Sequence, residues 1–161
     1  MLISKTRVLL AAAGLAALLL AVTAPAGHAA DSSVNGTGRH LGADPPFPTI
    51  QVHVNASSEL GGLNPKGQMS VDAEGIHSYT GDVTCLNLLG NVAIVGIVIT
   101  KSSNPSFIGL GEQWTIADLG SPGDFDSIAG YPLTPTPPDC APQFFTVPVV
   151  SGNYTVHNAA P

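Results

Sequence analysis

Alternation of apolar and polar residues with a period of two constrains this chain more than any other feature of its sequence. The alternation runs through residues 49–56 and 68–73, and it places successive side chains on opposite faces of a strand. Residues 92–99 form an apolar run rich in β-branched side chains, which favour strands over helices. No segment after residue 30 keeps a helical period. We therefore expect an all-β domain.

Turn-forming residues divide this domain into about seven short strands. Gly90-Asn91 predicts a hairpin, and Gly81 suits a bulge in a long strand over residues 76–88, because glycine lacks a Cβ. A strand around residues 113–116, two long loops at 119–131 and 132–143, and a last hairpin of residues 144–150 and 153–157 complete the pattern. It predicts one domain over residues 49–161, an antiparallel β-sandwich or a small β-barrel.

Residues 1–30 have the order of segments typical of a signal peptide. Lys5 and Arg7 precede an apolar run over residues 8–22, and small residues follow it. Pro25 and Gly27 end the run before it reaches the roughly 20 residues that a membrane-spanning helix needs. We expect cleavage, release and a secreted, extracellular protein.

Residues 31–48 are mostly Ser, Asn, Gly, Asp and Pro. This composition offers little apolar surface to offset the entropy cost of ordering. We therefore expect a flexible N-terminal arm, with the folded domain beginning at residue 49.

Charge restricts the partners of the processed chain. Only Arg39, Lys66 and Lys101 remain basic after signal cleavage, against eleven Asp and Glu residues. Nucleic acids and anionic membranes reward clustered positive charge. Neither is therefore an expected partner, and no other partner is predicted.

Cys85 and Cys140 are the two cysteines of the chain. An even number in an exported protein favours a disulfide bond, and two buried free thiols are the alternative. A Cys85 held in a disulfide cannot act as a thiolate nucleophile.

Asp118, Asp124 and Asp126 fall in one loop that also contains Gly120 and Gly123. Calcium takes oxygen ligands from loops of this kind, so these three carboxylates are a candidate calcium site and calcium is the one cofactor considered. The alternative is a solvated turn in which Asp accepts hydrogen bonds from its own backbone. The motifs of serine hydrolases, phosphate-binding loops and zinc proteases are missing from the sequence, and we predict no catalytic residues.

Four aromatic residues, Tyr79, Trp114, Tyr131 and Tyr154, are candidates for lining a ligand pocket at the mouth of a barrel. In a small β-domain such residues also pack in the core or at the rim. His77 and Glu112 lie in no pattern that distinguishes them.

Four segments carry a resemblance to known proteins: residues 81–86 (GDVTCL), 90–96 (GNVAIVG), 116–120 (IADLG) and 152–157 (GNYTVH). They resemble segments of a group of uncharacterised secreted bacterial proteins with a small β-domain, many of them actinobacterial. In similar sequences further Asp residues often follow the Asp-x-Gly segment, where Asp124 and Asp126 stand here. The resemblance implies export and no particular activity.

The sequence thus favours a non-enzymatic secreted β-domain that acts through surface contacts or as a structural module. The first alternative is a β-barrel that binds a small apolar ligand. The second is a hydrolase that uses carboxylates such as Asp118, Asp124 or Asp126.

Overall fold

The computed structural model describes residues 31–42, 48–120, 126–143 and 146–159, so the predicted signal peptide lies outside the described residues. Nine strands account for most of them: β1 (Ser32–Leu41), β2 (Thr49–Ser58), β3 (Lys66–Ala73), β4 (His77–Leu89), β5 (Val92–Ser102), β6 (Gly111–Ala117), β7 (Ser127–Gly130), β8 (Val147–Pro148) and β9 (Ser151–His157). Short 3-10 turns occur at Leu60–Gly62 and Pro105–Phe107. Within the described ranges, no helix is long and apolar enough to cross a membrane.

All nine strands belong to one antiparallel sheet with the order β8-β7-β6-β5-β4-β3-β2-β1-β9. The sheet curls strongly into a half-barrel, which confirms the predicted all-β class and favours the barrel over the sandwich. Two register shifts between β4 and β5, at Thr80/Gly81 and Val83/Cys85, add local bending and twist. The predicted kink at Gly81 and the hairpin at Gly90-Asn91 are both present.

The predicted flexible arm is wrong for residues 32–41, because they form β1. This strand pairs with β2 on one side and with β9 on the other. Its inward positions include Gly36 and Gly38, so the sequence shows almost no apolar alternation there. The apolar surface comes instead from the Tyr154 ring of β9, which occupies the space where side chains of both glycines would lie. Residues 43–47 of the predicted arm lie outside the described residues.

The predicted last hairpin is also wrong. β8 pairs with β7, whereas β9 pairs with β1. Between them the chain crosses from one edge of the sheet to the other, where Val149 N donates to Asp126 O and Val150 N donates to Arg39 O. The strand β7 lies in the predicted loop 119–131, and its four residues are too few to show a period.

The core fills the inside of the half-barrel. Its side chains come from β1 to β7, from β9 and from the crossing segment, and the fully buried ones include Val54, Met69, Val95, Ile97 and Ile116. The central strand β5 is covered on both faces, as predicted, because Ile94 on its outer face is fully buried too.

The proline-rich loop over residues 132–143 provides the outer cover. The Cys85–Cys140 disulfide ties it to β4, which confirms the predicted pairing. Gln113 Nε2 donates to Ala141 O, and Thr115 Oγ1 donates to Gln143 O, both at 2.8 Å. Each residue of β6 is therefore buried.

Because neighbouring strands are antiparallel, the connections that follow β1, β3, β5 and β7 lie at the same end of the half-barrel. We call this end the mouth.

Candidate functional site

A cavity of about 260 Å³ opens at the mouth, and we call it the mouth cavity. Ile50, Val71 and Ala73 from β2 and β3 form its apolar wall. Leu41 and Ile76 line its rim and are 52% and 58% exposed. Ligand sites are typically concave, mostly apolar and provided with a few converging polar groups, so the polar residues of this cavity decide what it can bind.

Trp114 on β6 provides one such group. Its side chain points inward with only 3% exposure, and its ring lies over Gly130, the residue paired with it on β7. A Cβ on Gly130 would lie 2.7 Å from the indole ring, so the absence of a side chain there fixes the ring position. The indole Nε1 is buried and has no hydrogen-bond partner among the described residues.

His40 on β1 provides a second buried nitrogen. The residue is 5% exposed, and its Nδ1 lies 3.1 Å from the carbonyl oxygen of Leu41. Since a carbonyl oxygen only accepts, Nδ1 carries the proton. Burial lowers the pKa of His40, which favours the neutral ring and leaves Nε2 as an acceptor. Nε2 is buried and finds no partner in the described part of the chain.

The two rings meet across the interior, although β1 and β6 are not neighbours in the sheet. Their centroids are 6.1 Å apart, and the rings are nearly perpendicular, in an edge arrangement. The curl of the sheet therefore brings His40 and Trp114 to one cavity.

Glu112 and Tyr79 form a buried pair at the same place. The Tyr79 hydroxyl donates to Glu112 Oε2 at 2.5 Å. Burial raises the pKa of Glu112 to about 7, against the opposing effects of Tyr79 and Trp114. Trp114 lies close enough to Glu112 to lower this pKa by hydrogen bonding, although its Nε1 meets no acceptor among the described residues within strict hydrogen-bond geometry. Burial first, and then the charge of Glu112, raise the pKa of Tyr79, so its hydroxyl stays a donor.

Aromatic packing holds Tyr79 in this position. His77 stacks on it with a centroid distance of 5.7 Å, and Phe107 meets both rings edge-on. Phe107 belongs to the 3-10 turn Pro105–Phe107, where Asn104 accepts a hydrogen bond from Ser106 N at the N-terminus. The connection between β5 and β6 thereby supports the site.

The chain matches no protein-family model, no curated protein and no solved structure.

Three of the four aromatic residues predicted to line a pocket do so: Tyr79, Trp114 and Tyr131. Tyr154 instead packs in the core, where its hydroxyl donates to Val52 O at 3.0 Å. The sequence reasoning missed His40 and Glu112. Glu112 shares its face of β6 with Trp114 and Ile116, and a carboxyl on an inward face needs a buried partner; this was the signal available. His40 had none, because β1 itself was not predicted.

Three larger depressions lie elsewhere on the described surface. Those of about 460 and 540 Å³ share His53, Ser70 and Thr80 on the polar outer face of the sheet, and one of about 500 Å³ follows the proline-rich loop. None of their lining residues carries a buried polar atom without a partner. The mouth cavity is therefore the better candidate for a ligand.

The Asp-containing loop closes the half-barrel. Asp118 Oδ1 accepts from Gly120 N and Asp118 Oδ2 from Val156 N, each at 3.0 Å. Asp126 Oδ1 accepts from Leu119 N, and its Oδ2 accepts from Tyr154 N. Two carboxylates from the β6–β7 connection thus bind backbone N–H groups of β9, across the gap between the edges of the sheet. We call this gap the seam.

Asp124, the third residue of the candidate calcium site, lies outside the described residues. Within the described ranges, no group of three or more His, Cys, Asp or Glu side chains is placed to hold a metal ion. Calcium binding at Asp118, Asp124 and Asp126 stays a prediction.

Proposed function

We propose that this protein is a secreted, non-catalytic binding protein that holds a small, mostly apolar molecule in the mouth cavity. The observation that carries the proposal is the lining of the mouth cavity, which is mostly apolar and also includes Trp114 and the buried pair of Glu112 and Tyr79. An apolar lining with a few converging polar groups is typical of sites for small molecules.

The cavity dimensions limit the ligand. About 260 Å³ is slightly below the usual range of roughly 300–1,000 Å³ for small-molecule sites. The ligand is therefore about the size of a substituted single aromatic ring. The apolar rim formed by Leu41 and Ile76 favours entry of such a molecule over that of a charged one.

We propose binding without chemical conversion because the carboxyl group of the lining, Glu112, is already engaged by the Tyr79 hydroxyl. The described residues around the cavity also include no Lys or Arg that would stabilise a developing anion. Action outside the cell agrees with the signal-like segment over residues 1–30 and with the disulfide, since disulfides persist in oxidising compartments. The hypothesis of a module that acts through surface contacts has no comparable feature in its support.

Trp114 makes the proposal simple to test, because it is the one tryptophan of the chain and it lines the cavity. Titration with single-ring aromatic compounds should change its fluorescence emission in a saturable way. The variant Ala73→Leu adds volume at the cavity wall and should abolish the change, whereas Ala141→Leu, at an exposed position of the proline-rich loop, should not. The proposal would be contradicted if no compound changed the emission. It would also be contradicted if the emission of Ala73→Leu responded as strongly as that of the wild type.

A further inference from the structure

Glu112 carries the one carboxyl group among the described residues of the cavity lining, and it gives pH a way to control binding, an inference that rests on the proposed function. We propose that a bound ligand and the ionised form of Glu112 disfavour each other. A neutral, apolar ligand then binds tightly at neutral and mildly acidic pH and more weakly at alkaline pH.

The position of Glu112 makes its ionised form sensitive to what fills the cavity. The residue lies on the inner face of β6 and is 7% exposed. Its partner in the neighbouring strand β5 is Ile97, which is fully buried. An apolar neighbour cannot replace the hydrogen bonds that water makes to a carboxylate. The ionised form therefore depends on the few polar groups nearby and on water that reaches the cavity.

The polar groups around Glu112 supply no positive charge. The Tyr79 hydroxyl donates one hydrogen bond to its carboxyl group. The ring of His40 is kept mainly neutral, because burial lowers its pKa. The other titratable residues of the described lining are His77 and Tyr131, and this lining contains no Lys or Arg. An ionised Glu112 would thus be stabilised chiefly by Tyr79 and by solvent.

A ligand in the mouth cavity removes part of that solvent. Burial disfavours the charged form of a carboxyl group, and it already raises the pKa of Glu112 to about 7 in the protein without ligand. An apolar ligand increases this burial and should raise the pKa further. Because the coupling of two binding events is reciprocal, ligand binding promotes uptake of a proton. Ionisation of Glu112 above pH 7 in turn weakens ligand binding.

His40 has the opposite effect, at lower pH. Its pKa is lowered from the ordinary value of 6.5, so the ring is mostly neutral above pH 6.5. Protonation below this pH would place a positive charge beside the cavity and would disfavour an apolar ligand. A comparison between pH 6.5 and pH 8.5 therefore measures the effect of Glu112 while His40 stays mainly neutral.

Calorimetry on the unmodified protein tests the coupling with two probes that have no titratable group, 1,4-dimethylbenzene and 4-methylanisole. We expect the Kd to be at least about fivefold higher at pH 8.5 than at pH 6.5. At pH 7.5 the binding enthalpy should depend on the ionisation enthalpy of the buffer, because binding takes up part of a proton. Equal affinity at both pH values would overturn the coupling and leave the proposed function standing. Absence of binding at either pH would overturn both.

The variant Glu112→Gln tests the assignment to this residue. It keeps the size of the side chain and an acceptor for the Tyr79 hydroxyl but cannot ionise. Its Kd should differ by less than about twofold between the two pH values, with no proton uptake. Glu59→Gln, at an exposed position, is the matched control and should keep the full pH dependence.

A pH dependence that survives in Glu112→Gln would overturn the assignment, because it would have to come from another group of the lining, such as His77 or Tyr131. The comparison of the two pH values on the unmodified protein stands even if this variant does not fold.

Discussion

The ring of Tyr154 lies against Gly38 inside the half-barrel, so that a Cβ on Gly38 would be 2.6 Å from ring atom Cε2. Tyr154 belongs to β9 and Gly38 to β1, and the Tyr154 hydroxyl reaches further to the carbonyl of Val52 on β2. Burial raises the pKa of Tyr154, which keeps this hydroxyl protonated as a donor. One side chain therefore links three adjacent strands on the inner face of the sheet.

Gly38→Ala should lower the free energy of unfolding by about 1–3 kcal/mol, the usual cost of overpacking. The cause is the Tyr154 ring alone, because the backbone at Gly38 does not need glycine. In a Tyr154→Leu background the clashing atoms are gone, so the same substitution should cost less than about 1 kcal/mol. Denaturant unfolding of the four proteins measures the coupling. An equal cost in both backgrounds would show that the ring is not the cause.

Asp126→Ala should destabilise the protein by about 2–4 kcal/mol, because it removes the acceptor from two backbone N–H groups, Leu119 N and Tyr154 N. Asp72→Ala, at an exposed position of β3, is the control and should change stability by no more than about 0.5 kcal/mol. Similar values for the two variants would mean that the carboxylate does not close the seam.

Thermal melts of the wild type with calcium and with excess EDTA test the calcium site predicted from the sequence. Asp118 and Asp126 already accept four backbone hydrogen bonds, so we expect the two melting temperatures to agree. A higher melting temperature with calcium, lost in an Asp124→Asn variant, would show that the loop binds the ion.

Glu112 should make stability depend on pH. Its pKa is raised from 4.5 to about 7 in the folded protein, so its protonation stabilises the fold fully below the unfolded value, and this contribution is lost as the pH rises through about 7. Relative to Glu112→Gln, the wild type should lose about 1 kcal/mol of its free energy of unfolding for each unit by which the pH rises between about 5 and 7.

His40 acts in the opposite direction. Its pKa is lowered, so its contribution is present above the unfolded value of 6.5 and is lost as the pH falls. Because His40 is present in both proteins, its contribution largely cancels in the difference between wild type and Glu112→Gln. Glu59→Gln, at an exposed position, should show no pH-dependent difference. A constant difference for Glu112→Gln across this range would contradict the raised pKa.

Removal of the disulfide by the double substitution Cys85→Ala and Cys140→Ala should destabilise the protein by about 4 kcal/mol in the chain-entropy model, for a sequence separation of 55. The proline-rich loop should then detach from the outer face of β5 and β6. Hydrogen exchange should show faster exchange in β6 and little change in β3, which the loop does not cover. Unchanged protection of β6 would mean that Gln113 and Thr115 hold the loop without the disulfide.

Strands β2 to β6 could be predicted because each carries its own local signal, either alternation or a β-branched run. β1 and β7 could not, for a common reason. Their inward positions include Gly38 and Gly130, and the apolar surface over these glycines comes from Tyr154 and Trp114 on other strands. The pattern of apolar residues within β1 or β7 cannot predict a packing contact that is made by a side chain from another strand.

The residues of the candidate site also differ in whether the sequence could predict them. Tyr79, Trp114 and Tyr131 could be proposed from residue type, since aromatic residues often line pockets. Glu112 carried one signal, a carboxyl group on the inward face of β6, whereas His40 carried none, because β1 itself was not predicted and the burial of His40 depends on that strand. The position of His40 in the cavity depends on the curl of the whole sheet, which brings β1 opposite β6.

The pairing of β9 with β1 also affects the order in which parts of the sheet can form during folding. The two strands lie at opposite ends of the described chain, and contacts of such high sequence separation form slowly, because the entropy of closing the intervening loop opposes them. Until β9 has been synthesised, β1 remains an open edge that can pair with another copy. The last strand, Ser151–His157, therefore decides whether the β1 edge of a newly made chain is covered or stays open to pairing with another copy.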